Sequence, residues 1–216
     1  QHYSFAVSAF IDLINQSDVD SYDFSLRETQ TYEIIDDVAH MKSEIGLLYY
    51  NDFNRPVLEK LIHTNELTFT ELFTAHPHIF IGKTHPLANK DVVSMDELEE
   101  YPYISFEQGD HNSFYFSEEI FSTVVRPKHI RVRDRASLFS LLLGLNGYTV
   151  SSGVIDKEVN GENIISVPLA EEGLMHIGYI TNNKMQRSRL GQVYIQALEQ
   201  YVGNYGRHIQ LPEDKK

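Results

Sequence analysis

The sequence predicts an α/β fold, in which helices and strands alternate along all 216 residues. The first observation is periodicity: stretches with apolar residues at three- and four-residue steps alternate with short alternating or fully apolar stretches. The second is composition, because 42% hydrophobic and 23% charged residues are typical of a globular protein. Repeated strand–helix–strand units further predict mostly parallel sheet with helices on both faces.

In the first half of the chain, local signals accompany the periodicity. Thr31 is a favourable N-cap for the second helix, and Pro56 suits the first turn of the third. The predicted helices are 3–14, 31–42 and 55–63, and the predicted strands are 22–29, 44–51, 67–73 and 78–83.

The second half continues the alternation. Ser94 and Glu97 form a capping box for a short helix that Pro102 stops, and Gly147 ends a strongly apolar helix. The predicted helices are 95–100, 112–124, 137–147, 154–159 and 190–202, and the predicted strands are 103–108, 129–134, 148–153, 163–169 and 175–181.

The charge and the absence of cysteine exclude several functions. The net charge is −13, and residues 1–75 alone hold thirteen acidic against four basic residues. Such a surface repels phosphate backbones, so we expect no nucleic-acid binding by this chain itself. Without cysteine, disulfides, thiol catalysis and thiolate metal sites are excluded. No secretory signal or membrane-spanning run is present, which favours a cytoplasmic protein with no membrane partner.

Catalytic and cofactor motifs are missing from the sequence. It contains no G-x-S-x-G, no G-x-G-x-x-G, no Walker-type loop and no H-E-x-x-H. His76, His78 and His85 lie beside prolines and are interpreted as turn residues. Ser, His and Asp occur together in "GDHNS", but neighbours in sequence do not define a catalytic triad. We therefore expect no metal, no cofactor and no catalytic residue.

Candidate ligand contacts follow from the rule that α/β sheets bind ligands at the carboxyl ends of their strands. Arg135 falls in such a loop and is placed to hold a carboxylate, whereas Arg131 and Arg133 share a strand face that we expect to be solvated. Thr29 and Thr31 lie where a strand runs into a helix start, where an anion can complete the cap. By the same argument Ser137 and Ser152 are candidate contacts.

Residues 71–109, "ELFTAHPHIFIGKTHPLANKDVVSMDELEEYPYISFEQG", resemble the middle of the effector-binding domain of LysR-type transcriptional regulators. Members of that family typically have a strand, a His-Pro-Leu-Ala turn, a short helix, a proline and a strand leading into a ligand loop. The segments "EIGLLYYN" and "SLFSLLLGLNGYTVSSG" resemble further family segments in the expected order. The resemblance covers about residues 1–205. The family's first strand and its winged helix-turn-helix are missing, and "SSGV" stands where members often have Leu-Pro.

The resemblance implies a periplasmic-binding-protein type II architecture, with two Rossmann-like lobes and an effector cleft between them. Lobe I would comprise residues 1–77 and 178–216, and lobe II residues 78–177, with the DNA-binding domain absent from this chain. By position, the family's effector contacts fall on Gln1, His2, Tyr3, Ser4, Thr29, Thr31, Ser105, Phe106, Glu107 and Gln108. Because Glu107 and Asp110 oppose a purely anionic pocket, we expect an anionic or zwitterionic metabolite.

The family also implies the partners of the protein. We expect a small-molecule effector, a homodimer or homotetramer in which the first helix is a candidate surface, and DNA contact only through the absent domain. Two alternatives remain open at this point, a solute-binding protein of a transport system and an enzyme on the same scaffold, because fold alone does not decide function.

Overall fold

The computed structural model describes residues 1–16, 21–156 and 160–205. Its helices are α1 (Ser4–Gln16), α2 (Thr31–Ala39), α3 (Arg55–Thr64), α4 (Arg135–Leu145) and α5 (Arg189–Tyr205). Its strands are β1 (Gly46–Tyr50), β2 (Leu67–Ala75), β3 (His78–Gly82), β4 (Tyr103–Phe106), β5 (His129–Val132), β6 (Thr149–Ser151), β7 (Ile164–Pro168) and β8 (Met175–Asn182). Short 3₁₀ turns occupy Asp96–Leu98, Gly109–His111 and Phe114–Phe116. The predicted helix 154–159 lies partly outside the described residues.

Two groups of elements form the two halves of the molecule. Lobe I contains the sheet β1–β8–β2 with α1, α2, α3 and α5, and lobe II contains the sheet β6–β3–β7, the pair β4–β5 and α4. β4 is tied to the start of β6 because the backbone nitrogen of Ile104 donates to the Tyr148 carbonyl at 2.8 Å. The chain passes from lobe I to lobe II between β2 and β3 and returns through β8.

The prediction of mostly parallel sheet is wrong for the described strands. β8 lies between β1 and β2 and is antiparallel to both, and β3 is antiparallel to β6 and β7. Among these pairings, β4–β5 is the parallel one. Periodicity predicts which segments are strands, but it carries no information on which strand becomes a neighbour. A returning strand that inserts between two earlier strands is therefore missed.

Two further predicted elements are absent from the structure. Residues 22–29 alternate like a strand but pair with no described strand, and Tyr22 and Leu26 are exposed. Residues 112–124 form 3₁₀ and irregular turns instead of a helix, and Phe121 has a left-handed φ of 62°. This second segment is not helical because tertiary contacts hold its two glutamates, through the backbone N–H groups of His2 and Phe106.

The largest apolar cluster is shared by both lobes. Phe5 and Leu13 of α1 and Tyr49 of β1 belong to the same buried cluster as Ile79 of β3 and Tyr103 of β4. Two smaller clusters serve one lobe each, under α2 and α3 in lobe I and under α4 in lobe II. The shared cluster places the first residues of α1 at the junction of the lobes. In the described part of the chain, no helix has the length and apolarity needed to cross a bilayer.

Candidate functional site

The N-terminus of α2 faces lobe II at the junction. The backbone N–H of Thr31 donates to Oε1 of Gln108 at 3.0 Å, and the Thr31 hydroxyl accepts from Nε2 of Gln1 at 2.7 Å. Thr31 is fully buried and Gln108 is 3% exposed. The prediction that Thr31 is the N-cap is wrong, since Gln30 occupies that position and makes no side-chain cap bond. A carboxamide from the other lobe supplies the missing acceptor.

His2 links the two lobes through its ring and its backbone. Its Nδ1 lies 3.0 Å from Glu118 Oε1, and its backbone N–H donates to Glu118 Oε2 at 2.8 Å. The imidazole stacks on the Phe106 ring with centroids 3.8 Å apart, and its Nε2 lies 3.2 Å from the Arg133 carbonyl. The side chains of His2 and Glu118 are only 3% and 6% exposed, so the pair is shielded from water.

Glu118 and Glu119 are adjacent buried carboxyl groups with opposite electrostatic behaviour. Burial alone would raise the pKa of Glu118, but the charge and hydrogen bonds of His2 hold this pKa below its usual range. Burial, followed by repulsion from Glu118, raises the pKa of Glu119 to about 8. Glu119 accepts from the Phe106 N–H at 2.8 Å and from the Ser117 hydroxyl at 2.9 Å. At neutral pH the junction therefore holds one carboxylate and one predominantly neutral carboxyl.

Arg135 closes another side of the junction. Its guanidinium pairs with Glu28 of lobe I and donates to Oδ1 of Asn160 at 3.3 Å. The Arg135 side chain is 15% exposed and that of Glu28 is 28% exposed, so the pair is partly shielded. One cation thus joins a loop before α2 to the first turn of α4.

Aromatic contacts join the segment after β4 to lobe I. The ring of His111 stacks on Tyr32 of α2 with centroids 3.5 Å apart, and Tyr115 stacks on Phe53 at 4.6 Å. We call residues 107–121 the junction segment. Its hydrogen-bonding and charged side chains reach α2 and His2 from lobe II.

A cavity of about 40 Å³ remains between the lobes. Of the predicted site residues, it is lined by His2, Tyr3, Ser4, Phe106 and Arg135. Gln1, Thr31 and Gln108 are not among its lining residues, but they form the hydrogen-bond chain at the start of α2. Small-molecule sites usually enclose about 300–1,000 Å³, so a metabolite needs the junction to open.

The structure locates the remaining predicted residues away from this cavity. The Thr29 hydroxyl pairs with Glu33, Glu107 pairs with Arg133, and Ser137 is an exposed partner of the N-cap Asp134. Ser152 is fully buried, and its hydroxyl accepts from Val154 N–H at 3.4 Å. The Ser105 hydroxyl shares a hydrogen bond with Nε2 of His129 at 2.8 Å, on the face of β4–β5 away from α4.

Sequence reasoning missed the two acidic residues that line the cavity, Glu118 and Glu119. Both lie in residues 112–124, which the periodicity predicts as a helix. The available signal was their position between aromatic and aliphatic neighbours, since "FYFSEEIF" leaves few polar surroundings for two carboxyl groups. Of the two acidic residues that the sequence sets against a purely anionic pocket, Asp110 is exposed and Glu107 pairs with Arg133.

A groove of about 300 Å³ lies beside the junction, between α1, residues 23–29, residues 42–47 and the start of α5, and the predicted site residues Gln1, Tyr3 and Thr29 line it. It belongs to lobe I alone and does not include the N–H of Thr31 or the carboxyl groups of the junction. Within the described ranges, no group of three or more His, Asp or Glu side chains is arranged to hold a metal ion.

Comparisons with known proteins bear on this architecture. The family model of the LysR substrate-binding domain matches residues 21–203. Among curated proteins, none matches the chain at a significant level. HinK, a LysR family transcriptional regulator from Pseudomonas aeruginosa, superposes with a TM-score of 0.60 at 15% identity, over 93% of this chain and 67% of its own.

Two effector-domain-sized structures are similar over nearly their whole length. The effector-binding domain of QuiR in complex with shikimate has a TM-score of 0.59 at 16% identity, covering 92% of this chain and 90% of QuiR. The oxidised form of OxyR has a TM-score of 0.56 at 16% identity, covering 95% of this chain and 92% of OxyR. At these identities the likeness supports the two-lobed fold.

Proposed function

Because the chain belongs to the LysR substrate-binding domain family, we propose that it senses a small anionic or zwitterionic effector held between its two lobes. The family and the periplasmic-binding-protein type II fold predicted from the sequence are confirmed. The observation that carries the proposal is the hydrogen bond from Thr31 N–H to Gln108 Oε1 at 3.0 Å. A side-chain oxygen from lobe II occupies the helix N-terminus, where an effector carboxylate would bind with the additional benefit of charge.

The charges around the cavity favour a ligand with two polar ends. Thr31 N–H and the guanidinium of Arg135 suit a carboxylate, while Glu118 and Glu119 suit an ammonium or hydroxyl group. These two sets of groups suit opposite ends of one molecule, so an amino acid or a hydroxy acid satisfies both. QuiR is described in complex with shikimate, which is a hydroxylated carboxylate, and this agrees with the second class of ligand.

Effector binding would then change the balance between a closed and an open junction. In the closed state, Gln108 is the acceptor for Thr31 N–H, and Arg135 is paired with Glu28. The cavity between the lobes then has a volume of only about 40 Å³. An effector that replaces Gln108 at Thr31 binds the open state better, and this differential affinity shifts the equilibrium. A DNA-binding domain would read this shift.

Assembly into a dimer or tetramer is part of the same proposal. α1 packs its buried face against α5 and leaves Ile11 46% exposed, and α4 exposes Leu143 and Leu145. Exposed apolar residues on one helix of each lobe suit a side-by-side pair, in which both lobes contact the partner. A change of the angle between the lobes would then change the contacts between the two chains of the pair.

The two alternative functions receive less support. A solute-binding protein shares the fold, but the family model that matches is that of the LysR domain. An enzyme would need an activated nucleophile, for which the Ser105–His129 hydrogen bond is the candidate. Burial, with the charges of Arg131 and Arg126, lowers the pKa of His129 to about 4, so its ring is a weak general base. We therefore propose a non-catalytic sensor.

A thermal-shift and calorimetric screen tests the proposal. The panel consists of free amino acids, hydroxy acids including shikimate, and small monocarboxylates at constant ionic strength. A true effector at one hundred times its dissociation constant stabilises the folded state by about 2.7 kcal/mol. Arg135→Ala should weaken its binding about tenfold or more, because it removes a charge-assisted contact. The control Ser137→Ala, on the exposed cap of α4, should leave binding unchanged. Equal affinities of the parent protein, Arg135→Ala and Ser137→Ala would exclude Arg135 as a contact of the effector.

A further inference from the structure

A second polar pocket, distinct from the interlobe cavity, lies within lobe II. It has a volume of about 100 Å³ and lies between the β4–β5 strands and the junction segment. Ser105, Gln108, His129 and Arg131 line it. A water molecule takes about 30 Å³ of liquid, so the pocket has room for an ion the size of acetate or phosphate.

The pocket has an electropositive lining in an acidic protein. None of the described lining residues is Asp or Glu, although the chain holds 31 acidic against 18 basic residues. Arg131 is exposed and forms no ion pair with any described carboxylate, in contrast to Arg133, which pairs with Glu107. Its charge also acts on the neighbouring imidazole, since burial and then Arg131 lower the pKa of His129.

A buried donor in the pocket lacks an acceptor. Nε2 of Gln108 is inaccessible to solvent and has no hydrogen-bond partner among the described residues, while Oε1 of the same amide accepts from Thr31. Leaving a buried donor unpaired costs about 1–3 kcal/mol, and an acceptor that enters the pocket and reaches this amide would remove that cost. Ser105 is 5% exposed, and its hydroxyl, shared with His129, is a further polar group in the wall.

We propose that this pocket binds a small oxyanion, either a carboxylate or an inorganic phosphate-like ion, through Arg131, Gln108 Nε2 and the Ser105–His129 pair. The unpaired cation supplies the charge, and the orphaned amide donor supplies the directional hydrogen bond. Because Gln108 reaches Thr31 with its other amide atom, the bound oxyanion orients that amide and strengthens the bond between the lobes. The two sites meet at Gln108, because an oxyanion that strengthens this bond opposes an interlobe effector that replaces Gln108 at Thr31 N–H.

The test uses sodium acetate and inorganic phosphate as probes, at an ionic strength held constant with chloride. The readouts are the His129 side-chain NMR resonances and the affinity from calorimetry. We expect saturable binding of at least one probe, with the His129 resonance moving along the same isotherm. The variant Arg131→Gln should weaken binding about tenfold, because it removes a charge-assisted contact. Arg133→Gln is the matched control, since it removes the same charge from a neighbouring exposed residue that does not line the pocket.

The outcomes distinguish a specific site in the pocket from general attraction of anions to basic residues. Binding lost in Arg131→Gln and kept within about twofold in Arg133→Gln supports the site, and the preferred probe then identifies a planar or tetrahedral oxyanion. Equal loss in both variants would indicate general attraction to basic residues and would overturn the proposal. Absence of a saturable His129 shift with either probe would overturn it as well. Neither failure contradicts the interlobe proposal, because Arg131 and His129 are not among its contacts.

Discussion

Gln108 of lobe II accepts a hydrogen bond from the backbone N–H of Thr31, the first residue of α2 in lobe I, at 3.0 Å. Both residues are buried, and Gln1 completes the chain by donating to the Thr31 hydroxyl. A helix N-terminus that faces the opposite lobe is thereby capped by the opposite lobe. In the proposed function, this contact couples closure of the junction to the acceptor present at α2.

Removing the Gln108 side chain should destabilise the protein. Gln108→Ala leaves the Thr31 N–H without its acceptor in a buried position, at a cost of about 1–3 kcal/mol in the free energy of unfolding. Urea unfolding measures this change. Gln196→Ala on the exposed side of α5 is the control and should change stability by less than about 0.5 kcal/mol. Equal stability of the two variants would mean that the contact does not form in solution.

The Arg135–Glu28 pair should contribute more to stability than the Arg133–Glu107 pair. The first joins the two lobes and includes an Arg side chain that is 15% exposed, whereas Arg133 is 77% exposed. Double-mutant cycles with alanine should give a coupling energy of about 1 kcal/mol for the first pair and close to zero for the second. A larger coupling for Arg133–Glu107 would contradict the partly shielded junction.

Glu119 should cause the folded state to lose stability as the pH rises from about 4.5 to about 8. Its folded pKa is raised to about 8 from the ordinary value of 4.5, because burial and Glu118 disfavour the charged form. A raised carboxyl pKa contributes stability that is fully present below about pH 4.5 and is lost as the pH rises to about 8. Glu119→Gln should flatten the pH dependence of the urea midpoint over this range. An unchanged slope in the variant would show that Glu119 titrates as an exposed residue.

His85 should stabilise lobe II only while its ring is neutral. Its Nδ1 accepts from the Leu87 N–H at 3.0 Å and its Nε2 donates to the Asn146 carbonyl at 3.0 Å, which joins the His-Pro turn to the end of α4. Burial lowers the pKa of His85 below 6.5. A lowered histidine pKa contributes stability that is full above about pH 6.5 and declines on acidification.

His85→Ala should therefore cost about 2 kcal/mol at neutral pH, since two buried hydrogen bonds are lost. Its deficit relative to the parent protein should shrink as the pH falls below about 6.5. The exposed His63 on α3 provides the control, because His63→Ala removes an imidazole that makes no buried contact. A deficit that is constant with pH would mean that protonation of His85 does not matter.

Part of the site could be predicted from the sequence because short-range rules determine it. The start of α2 follows from its periodicity, and helix starts are places where exposed N–H groups collect. The position of Arg135 between a strand and a helix likewise places it at an edge of the sheet. These rules place Thr31 and Arg135 at helix starts, although the strand predicted before Thr31 is absent. They do not indicate what the opposite lobe contributes.

The rest depends on long-range contacts that local patterns do not encode. The helix predicted for residues 112–124 does not form, because Glu118 pairs with His2 and Glu119 accepts from the Phe106 N–H. The prediction of a mostly parallel sheet is wrong because β8 returns between two earlier strands and is antiparallel to both. Both are tertiary effects that override local propensity.

The most direct measurement is a ¹⁵N NMR titration that follows the Thr31 backbone amide while the best-binding carboxylate of the screening panel is added. If the effector replaces Gln108 at α2, the Thr31 resonance moves saturably with the same dissociation constant that calorimetry measures, and Gln108→Ala binds more tightly than the parent protein. If the ligand saturates the protein while the Thr31 amide does not move, the effector does not bind at the start of α2 and the account is wrong.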